Sequence, residues 1–144
     1  MNKFFKSIVT VILSSIAILA TSAEAQQDKF AIKEGSYTAN FMNEKTQLIT
    51  THGAAQIVIE KDGTGTYLQS SLIKPCYKGG LKLLQKRDTS GQLIFEVKPN
   101  SSDCPNLYYF AKIMQNGFTT HFVVLNSQGV YVRVNETIGD WVKS

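Results

Sequence analysis

Apolar and polar residues alternate in short segments along most of the chain that follows residue 29. In the first of these segments, Tyr37, Ala39 and Phe41 alternate with polar residues. A period of two places successive side chains on opposite faces of a β-strand, whereas an amphipathic helix needs a period of ~3.6. Most segments run for about five to nine residues before a turn signal, as strands do. The pattern therefore predicts an all-β fold of about eight strands.

Turn residues separate these segments closely enough for neighbouring strands to form hairpins. The pair Asn116-Gly117 is the strongest signal, and it predicts a type I′ turn because both residues readily take positive φ. Loops of hairpin length indicate an antiparallel up-and-down meander, which protects its edges by closing into a small barrel. A β-sandwich is the alternative, although sandwiches usually need longer crossing connections.

The segment from Leu81 to Arg87 consists of good helix formers between Gly79-Gly80 and Asp88. A short helix and a strand are both open at this point. A helix of this length does not support itself in water. We therefore predict a strand that pairs across residues 88–91 with residues 92–97.

The alternation also predicts which side chains face the interior. The residues expected inside are Tyr37, Phe41, Phe95, Val97, Phe110, Phe118, Phe122, Val132 and Val134. The aromatic members either fill the barrel core or line a pocket for an apolar ligand, because a barrel of about eight strands can be filled by its own side chains. Trp141 is expected to plug one barrel mouth, and an exposed contact anchor is the alternative.

Residues 1–25 have the pattern of a secretory signal peptide. Lys3 and Lys6 precede an apolar run from Ile8 to Ala20, which is about 20 Å long as a helix and too short for a ~30 Å hydrocarbon core. Small residues at Ala23 and Ala25 predict cleavage before Gln26. No cysteine lies near this site for a lipid anchor. We expect residues 26–144 to form one periplasmic or secreted domain with no stable membrane insertion.

The two cysteines, Cys76 and Cys104, both lie in the predicted mature chain. An even number of cysteines in an exported domain predicts a disulfide, and two buried free thiols are the alternative. The cysteines are 28 positions apart, for which the chain-entropy model gives an upper guide of about 3.5 kcal/mol.

Five cations lie within a short stretch that contains no acidic residue: Lys74, Lys78, Lys82, Lys86 and Arg87. This group, the cationic patch, is either a solvated face that discourages edge pairing or a surface that attracts an anionic partner. The net charge of the whole chain is only +4, and the predicted cleavage lowers it by one. Nucleic-acid binding usually needs a stronger basic face, so no nucleic-acid partner is expected.

Common catalytic and metal-binding motifs are missing from the sequence. There is no Gly-x-Ser-x-Gly, His-Glu-x-x-His, phosphate-binding loop or Cys-x-x-Cys. The two histidines, His52 and His121, have no second ligand at metal-binding spacing, and Asp62 and Asp103 lie in turn-like surroundings. We therefore expect no metal, no cofactor and no catalytic residue.

The N-terminal third of the mature chain contains Glu34-Gly35-Ser36-Tyr37, an early Ile-Val-Ile strand and Asp62-Gly63-Thr64-Gly65-Thr66-Tyr67. These segments resemble the opening of small bacterial lipocalin-like barrels. Tyr37 replaces the Trp that is usual in this opening, and the long helix of lipocalins has no counterpart after Trp141. The resemblance implies a ligand-carrying role.

Together these observations predict an exported, non-catalytic binding protein that acts through barrel loops or a pocket. The expected partner is an envelope protein or a small apolar or anionic ligand. A periplasmic inhibitor or immunity protein directed at a cell-wall enzyme or toxin is one alternative, because a rigid domain loses little entropy on binding. An enzyme whose site residues come from separate strands is another.

Cleavage of the signal peptide predicts that the exported protein begins at Gln26. The intact mass of protein recovered from the periplasm or medium should match residues 26–144. A mass that includes residues 1–25 would contradict this prediction.

Overall fold

The computed structural model describes residues 32–51 and 53–144. The predicted signal peptide and His52 lie outside the described residues. The strands are β1 (Gly35–Asn43), β2 (Ile49–Thr51), β3 (Ala55–Ile59), β4 (Gly65–Gln69), β5 (Leu81–Arg87), β6 (Leu93–Lys98), β7 (Leu107–Met114), β8 (Gly117–Leu125) and β9 (Tyr131–Lys143). A single 3-10 turn, η1, spans Pro75–Tyr77. Within these ranges, no helical segment has the length and apolar character that a membrane-crossing helix needs.

The sheet closes on itself because β1 pairs with both β3 and β9. All pairings are antiparallel, and consecutive strands are neighbours from β3 to β9. The short β2 pairs only with the C-terminal end of β1, beside Phe41 and Met42, and is additional to the eight barrel strands. The prediction of an all-β, up-and-down barrel is confirmed, and the sandwich alternative is wrong.

The segment 81–87 is the strand β5, as predicted, and it pairs with β6 from Lys82↔Lys98 to Arg87↔Leu93.

A disulfide joins Cys76 in η1 to Cys104, with 6.3 Å between the Cα atoms. The same two loops are held by the Tyr77 hydroxyl, which donates a hydrogen bond to the carbonyl oxygen of Pro105 (2.7 Å). The disulfide therefore ties the β4–β5 connection to the β6–β7 connection.

Aromatic side chains fill the barrel interior around Phe118. Its ring lies 5.0 Å from that of Tyr37, 5.5 Å from that of Phe95 and 5.7 Å from that of Trp141 between centroids. Tyr67 also contacts the Trp141 ring. Trp141 is almost completely buried within β9 and belongs to the core, so it is not an exposed contact anchor.

The interior prediction is correct for Phe95, Val97 and Phe118, which are buried, and it is wrong for Val132 and Val134. These two valines are 44% and 54% exposed. The β8–β9 pairing is irregular between His121 and Val123, and residues 131–133 pair only with β8 in the described part of the chain. This hairpin arm extends beyond the closed barrel, where no opposite strand covers its inner face.

Two other predicted inward residues differ from expectation. Phe122 is half-buried near one barrel mouth, and Phe110 is half-buried on the outside of β7, because its neighbours Tyr109 and Ala111 point inward. The outer surface holds a second apolar cluster, in which Ile94 and Val123 are buried. The β8–β9 arm contributes Tyr131, whose ring packs on that of Tyr108 at 5.2 Å.

The predicted type I′ turn at Asn116-Gly117 is also wrong. Met114 pairs with Gly117, so the loop consists of Gln115 and Asn116, and neither Asn116 nor Gly117 has positive φ. Gly117 is needed for space, because a Cβ there would lie 1.8 Å from the carbonyl oxygen of Trp141. Glycine is therefore required at position 117 by the close approach of β9 and not by the conformation of the turn.

Removal of the central ring should be costly. Phe118→Ala is expected to lower the free energy of unfolding by about 3–5 kcal/mol, because the three surrounding aromatic rings cannot collapse into the space. Phe110→Ala removes the same side chain from the half-buried outer face and should cost much less. Urea denaturation of both variants measures the difference. Equal losses would contradict this assignment of the inner and outer faces.

Candidate functional site

A cavity of about 390 Å³ opens at one mouth of the barrel. Its apolar walls come from Phe41, Leu72, Leu107, Tyr109 and Phe122. Phe41 and Tyr109 reach it because each belongs to the inward face of its strand. The mouth lies at the end of the barrel where β1, β4 and the closed part of β8 finish, so the cavity forms where the strands no longer face one another.

Polar side chains complete the lining: Thr50, Gln69, Thr120, Asn135 and Thr137. No charged side chain is found among the described residues that line the cavity. Pockets for small molecules are commonly apolar with a few fixed polar groups, in volumes of about 300–1,000 Å³. The mouth cavity has this composition and size.

Thr120 and Gly139 form the floor of the cavity above Trp141. Trp141 Nε1 donates a hydrogen bond to Thr120 Oγ1 (2.8 Å), and both side chains are buried. Gly139 leaves space here, because a Cβ on it would lie 2.6 Å from Thr120 Oγ1 and 3.2 Å from the Phe41 ring. Glycine is therefore required at position 139 for Thr120 and Phe41 to pack as they do.

Tyr109 forms part of one wall of the cavity, and Tyr67 packs against its ring. The Tyr67 hydroxyl donates to Gln69 Oε1, and Gln69 Nε2 donates to Ser71 Oγ (2.6 Å), which fixes the Gln69 amide. Tyr67 and Tyr109 stack with 5.5 Å between ring centroids. Burial raises the pKa of Tyr109 to about 12 and that of Tyr67 well above its usual value. Both hydroxyls therefore stay protonated at neutral pH, and this wall carries no negative charge.

A charged cluster lies on the outer face beside the irregular β8–β9 pairing. Arg133 Nη2 donates to the Glu44 carboxylate, and His121 Nε2 lies 3.6 Å from Glu44 Oε1. That distance is too long for a hydrogen bond, so the buried His121 Nε2 has no hydrogen-bond partner among the described residues. Burial, reinforced by the charge of Arg133 and opposed by that of Glu44, lowers the pKa of His121.

The five residues of the cationic patch have different surroundings in the structure. Lys86 forms an ion pair with Glu96 and lies over the Tyr108 ring, and Arg87 Nη1 donates to the carbonyl oxygen of Gly91. Lys82 lies directly opposite Lys98 on the outer surface. The other two members, Lys74 and Lys78, flank η1 and its disulfide. The binding of an anionic partner to this patch stays a prediction.

Asp62, an acidic residue in a predicted turn, has a structural role. Asp62 Oδ1 accepts hydrogen bonds from the backbone and hydroxyl of Thr64, as a turn aspartate does. Within residues 32–51 and 53–144, no group of three or more His, Cys, Asp or Glu side chains could hold a metal ion.

Most of the residues that line the cavity carry no clear signal in the sequence. Thr120 could have been noticed, because it shares the inward face of β8 with Phe118 and Phe122 and is polar where the core is apolar. Thr50, Asn135 and Thr137 carry no such signal. Their positions depend on the register between β1, β2 and β9, which is a long-range property.

Comparisons of the chain with protein-family models, with curated proteins and with solved structures find no match. The chemistry of the mouth cavity and of the surrounding surface is therefore the basis for assigning a function.

The lowered pKa of His121 predicts a pH dependence of stability. The unfolded chain binds a proton at His121 more readily than the folded chain does. The contribution of His121 to the free energy of unfolding is therefore fully present above the ordinary histidine pKa of ~6.5, and it is lost as the pH falls below that value. His121→Gln should flatten the decline in unfolding free energy between about pH 7 and 5. Urea denaturation at several pH values measures this slope.

The matched control is His52→Gln, which makes the same substitution at the other histidine of the chain. The Glu44 pKa is lowered, chiefly by its hydrogen bond with Arg133, so protonation of Glu44 affects stability only at more acidic pH. A His121→Gln variant with the same slope as the unmodified protein would show that His121 is not responsible.

Proposed function

We propose that this protein is a non-catalytic binding protein that holds a small, largely apolar molecule in the mouth cavity of its barrel. The observation that carries the proposal is the cavity of about 390 Å³ with its aromatic and aliphatic walls. It would hold a compact molecule of one or two rings, or a short branched chain, with most of its surface removed from water. The ligand-carrying role implied by the resemblance to lipocalin-like barrels agrees with this proposal.

The surface around the cavity supports the binding of an apolar molecule. Ile49, Ile73 and Val134 are more than half exposed, and each is adjacent in the chain to a residue that lines the cavity. Leu48, next to Ile49 in the sequence, is 68% exposed. Exposed aliphatic side chains cost free energy in water, and contiguous ones commonly mark a binding surface. A ligand that entered the cavity would cover part of this apolar rim.

The proposal includes export. The signal peptide predicted at residues 1–25 would deliver the protein to the periplasm or the medium, and the Cys76–Cys104 disulfide is compatible with that destination. In such a compartment the ligand would be a small molecule that crosses or originates in the cell envelope. No nucleic acid and no cofactor is part of the proposed function.

A second candidate function is inhibition of, or immunity to, an envelope enzyme or toxin. The observation that favours it is the β8–β9 arm, on which Val124, Val130, Val132 and Val134 are all more than two-fifths exposed. The arm is tethered to the barrel by the buried Val123 and by the ring contact of Tyr131 with Tyr108. A tethered apolar arm loses little conformational entropy on meeting a protein.

The two functions predict different effects of Val132→Lys. This substitution places a charge on the arm, outside the residues that line the cavity. It should abolish the association of a protein partner that uses the arm and leave the uptake of a small molecule unchanged.

Filling the cavity tests the leading proposal. Thr137→Phe adds a ring at the cavity wall, whereas Thr38→Phe makes the same change on the exposed outer face of β1. We expect N-phenyl-1-naphthylamine, a neutral apolar fluorophore, to bind the unmodified protein and Thr38→Phe equally. Its affinity for Thr137→Phe should be at least about tenfold lower, because the cavity is occupied. Fluorescence titration measures the affinities.

Thermal unfolding of both variants checks that the fold is intact. A native mass spectrum of protein from its own periplasm would show a bound small molecule, and that molecule should be lost in Thr137→Phe. Equal fluorophore binding by the two variants, or no binding by the unmodified protein, would contradict the proposal.

A further inference from the structure

We infer that the ligand of the mouth cavity is an uncharged molecule that carries a hydrogen-bond acceptor, such as a carbonyl group, and that this acceptor binds the hydroxyl of Thr120. The inference rests on the proposed function and specifies the chemical class of the ligand. Thr120 is the residue that would distinguish a ketone, ester or lactone from a hydrocarbon of the same shape.

Thr120 has an unused hydrogen-bond donor in a buried position. Its side chain is 3% exposed and lines the cavity. Thr120 Oγ1 accepts a hydrogen bond from Trp141 Nε1 (2.8 Å). A hydroxyl also has one proton to donate, and in the described part of the chain Thr120 donates no hydrogen bond. A buried donor without an acceptor is unfavourable, so an acceptor that enters the cavity is stabilised there.

The other polar groups of the lining differ from Thr120. Gln69 is engaged at both ends, since its oxygen accepts from Tyr67 and its nitrogen donates to Ser71. Thr50 and Asn135 are exposed and Thr137 is only half-buried, so these three side chains can bind water in the empty protein. The discrimination between ligands therefore depends mainly on the buried hydroxyl of Thr120.

Gly139 lines the cavity beside Thr120 and places no side chain over its hydroxyl. Gly139 faces the Thr120 hydroxyl, and a Cβ at this position would lie 2.6 Å from Thr120 Oγ1 and 2.7 Å from Trp141 Nε1. Any larger residue would therefore block the approach to the hydroxyl.

The absence of charge on the lining excludes an ionised ligand group at the floor. The cavity presents no lysine or arginine among its described lining residues to pair with a carboxylate, and no acid to pair with an ammonium group. A charge buried without a partner is strongly unfavourable. The raised pKa of Tyr109, the lining tyrosine, keeps this wall neutral. A neutral carbonyl compound satisfies both the shape and the electrostatics of the site.

The test compares 2-adamantanone with adamantane, which have nearly the same shape and differ in the carbonyl group. Trp141 is the single tryptophan of the chain and contacts both Thr120 and Phe41, so its fluorescence reports binding without a label. Affinities are measured for the unmodified protein, Thr120→Val and Thr120→Ser. Valine keeps the shape of threonine without the hydroxyl, whereas serine keeps the hydroxyl.

We expect Thr120→Val to lower the affinity for 2-adamantanone roughly tenfold relative to adamantane, and Thr120→Ser to keep the preference of the unmodified protein. Gly139→Ala should also weaken 2-adamantanone more than adamantane, and it provides the same test if Thr120→Val does not fold. An unchanged preference in Thr120→Val and Gly139→Ala would overturn the inference while leaving the proposed function intact. If neither compound binds the unmodified protein, both the inference and the proposed function are overturned.

Discussion

The pairing of β1 with β9 is the interaction on which the rest of the structure depends. It extends from Tyr37↔Lys143 to Asn43↔Thr137 and joins the first barrel strand to the last. Closure leaves the eight barrel strands with neighbours on both sides, so their backbone groups are hydrogen-bonded without a long exposed edge. It also brings Trp141 against Phe41, which comes from a distant part of the chain. Without this pairing the barrel would have no enclosed aromatic core and no floor for the cavity.

The cavity exists because closure is incomplete at one end. Beyond Asn43↔Thr137, β9 pairs only with β8, and β1 continues into the turn that leads to β2. The inward faces of these strands then have no opposite wall to pack against. Leu107, Phe122 and Thr137 at the mouth are therefore only half-buried, whereas side chains deeper in the barrel, such as Phe118, are fully buried. The same feature of the fold produces the apolar arm, the exposed rim and the space for a ligand.

Local alternation was sufficient to predict the strands, the meander and the burial of Phe95, Val97 and Phe118. It identifies residues that share a face, but it does not show whether anything covers that face. Val132 and Val134 do share a face, yet the arm that carries them lies beyond the barrel. The irregular pairing at His121 also changes the phase of β9, so that Tyr131 packs outward whereas Gly139 and Trp141 face inward. Such a change depends on long-range register, which no local pattern in the sequence reports.

Thr120 combines a structural role with the ligand-binding role that we propose for it. As an acceptor, its hydroxyl oxygen satisfies the indole N–H of the buried Trp141, which would otherwise lose a hydrogen bond in an apolar core. This role uses one lone pair and leaves the proton of the hydroxyl available. An asparagine or glutamine acceptor would be larger and would fill the space above Gly139, while a backbone carbonyl would leave no proton facing the cavity. The hydroxyl is thus the smallest group that can hold the tryptophan below and still donate to a molecule above, and its two roles respond differently to serine and valine.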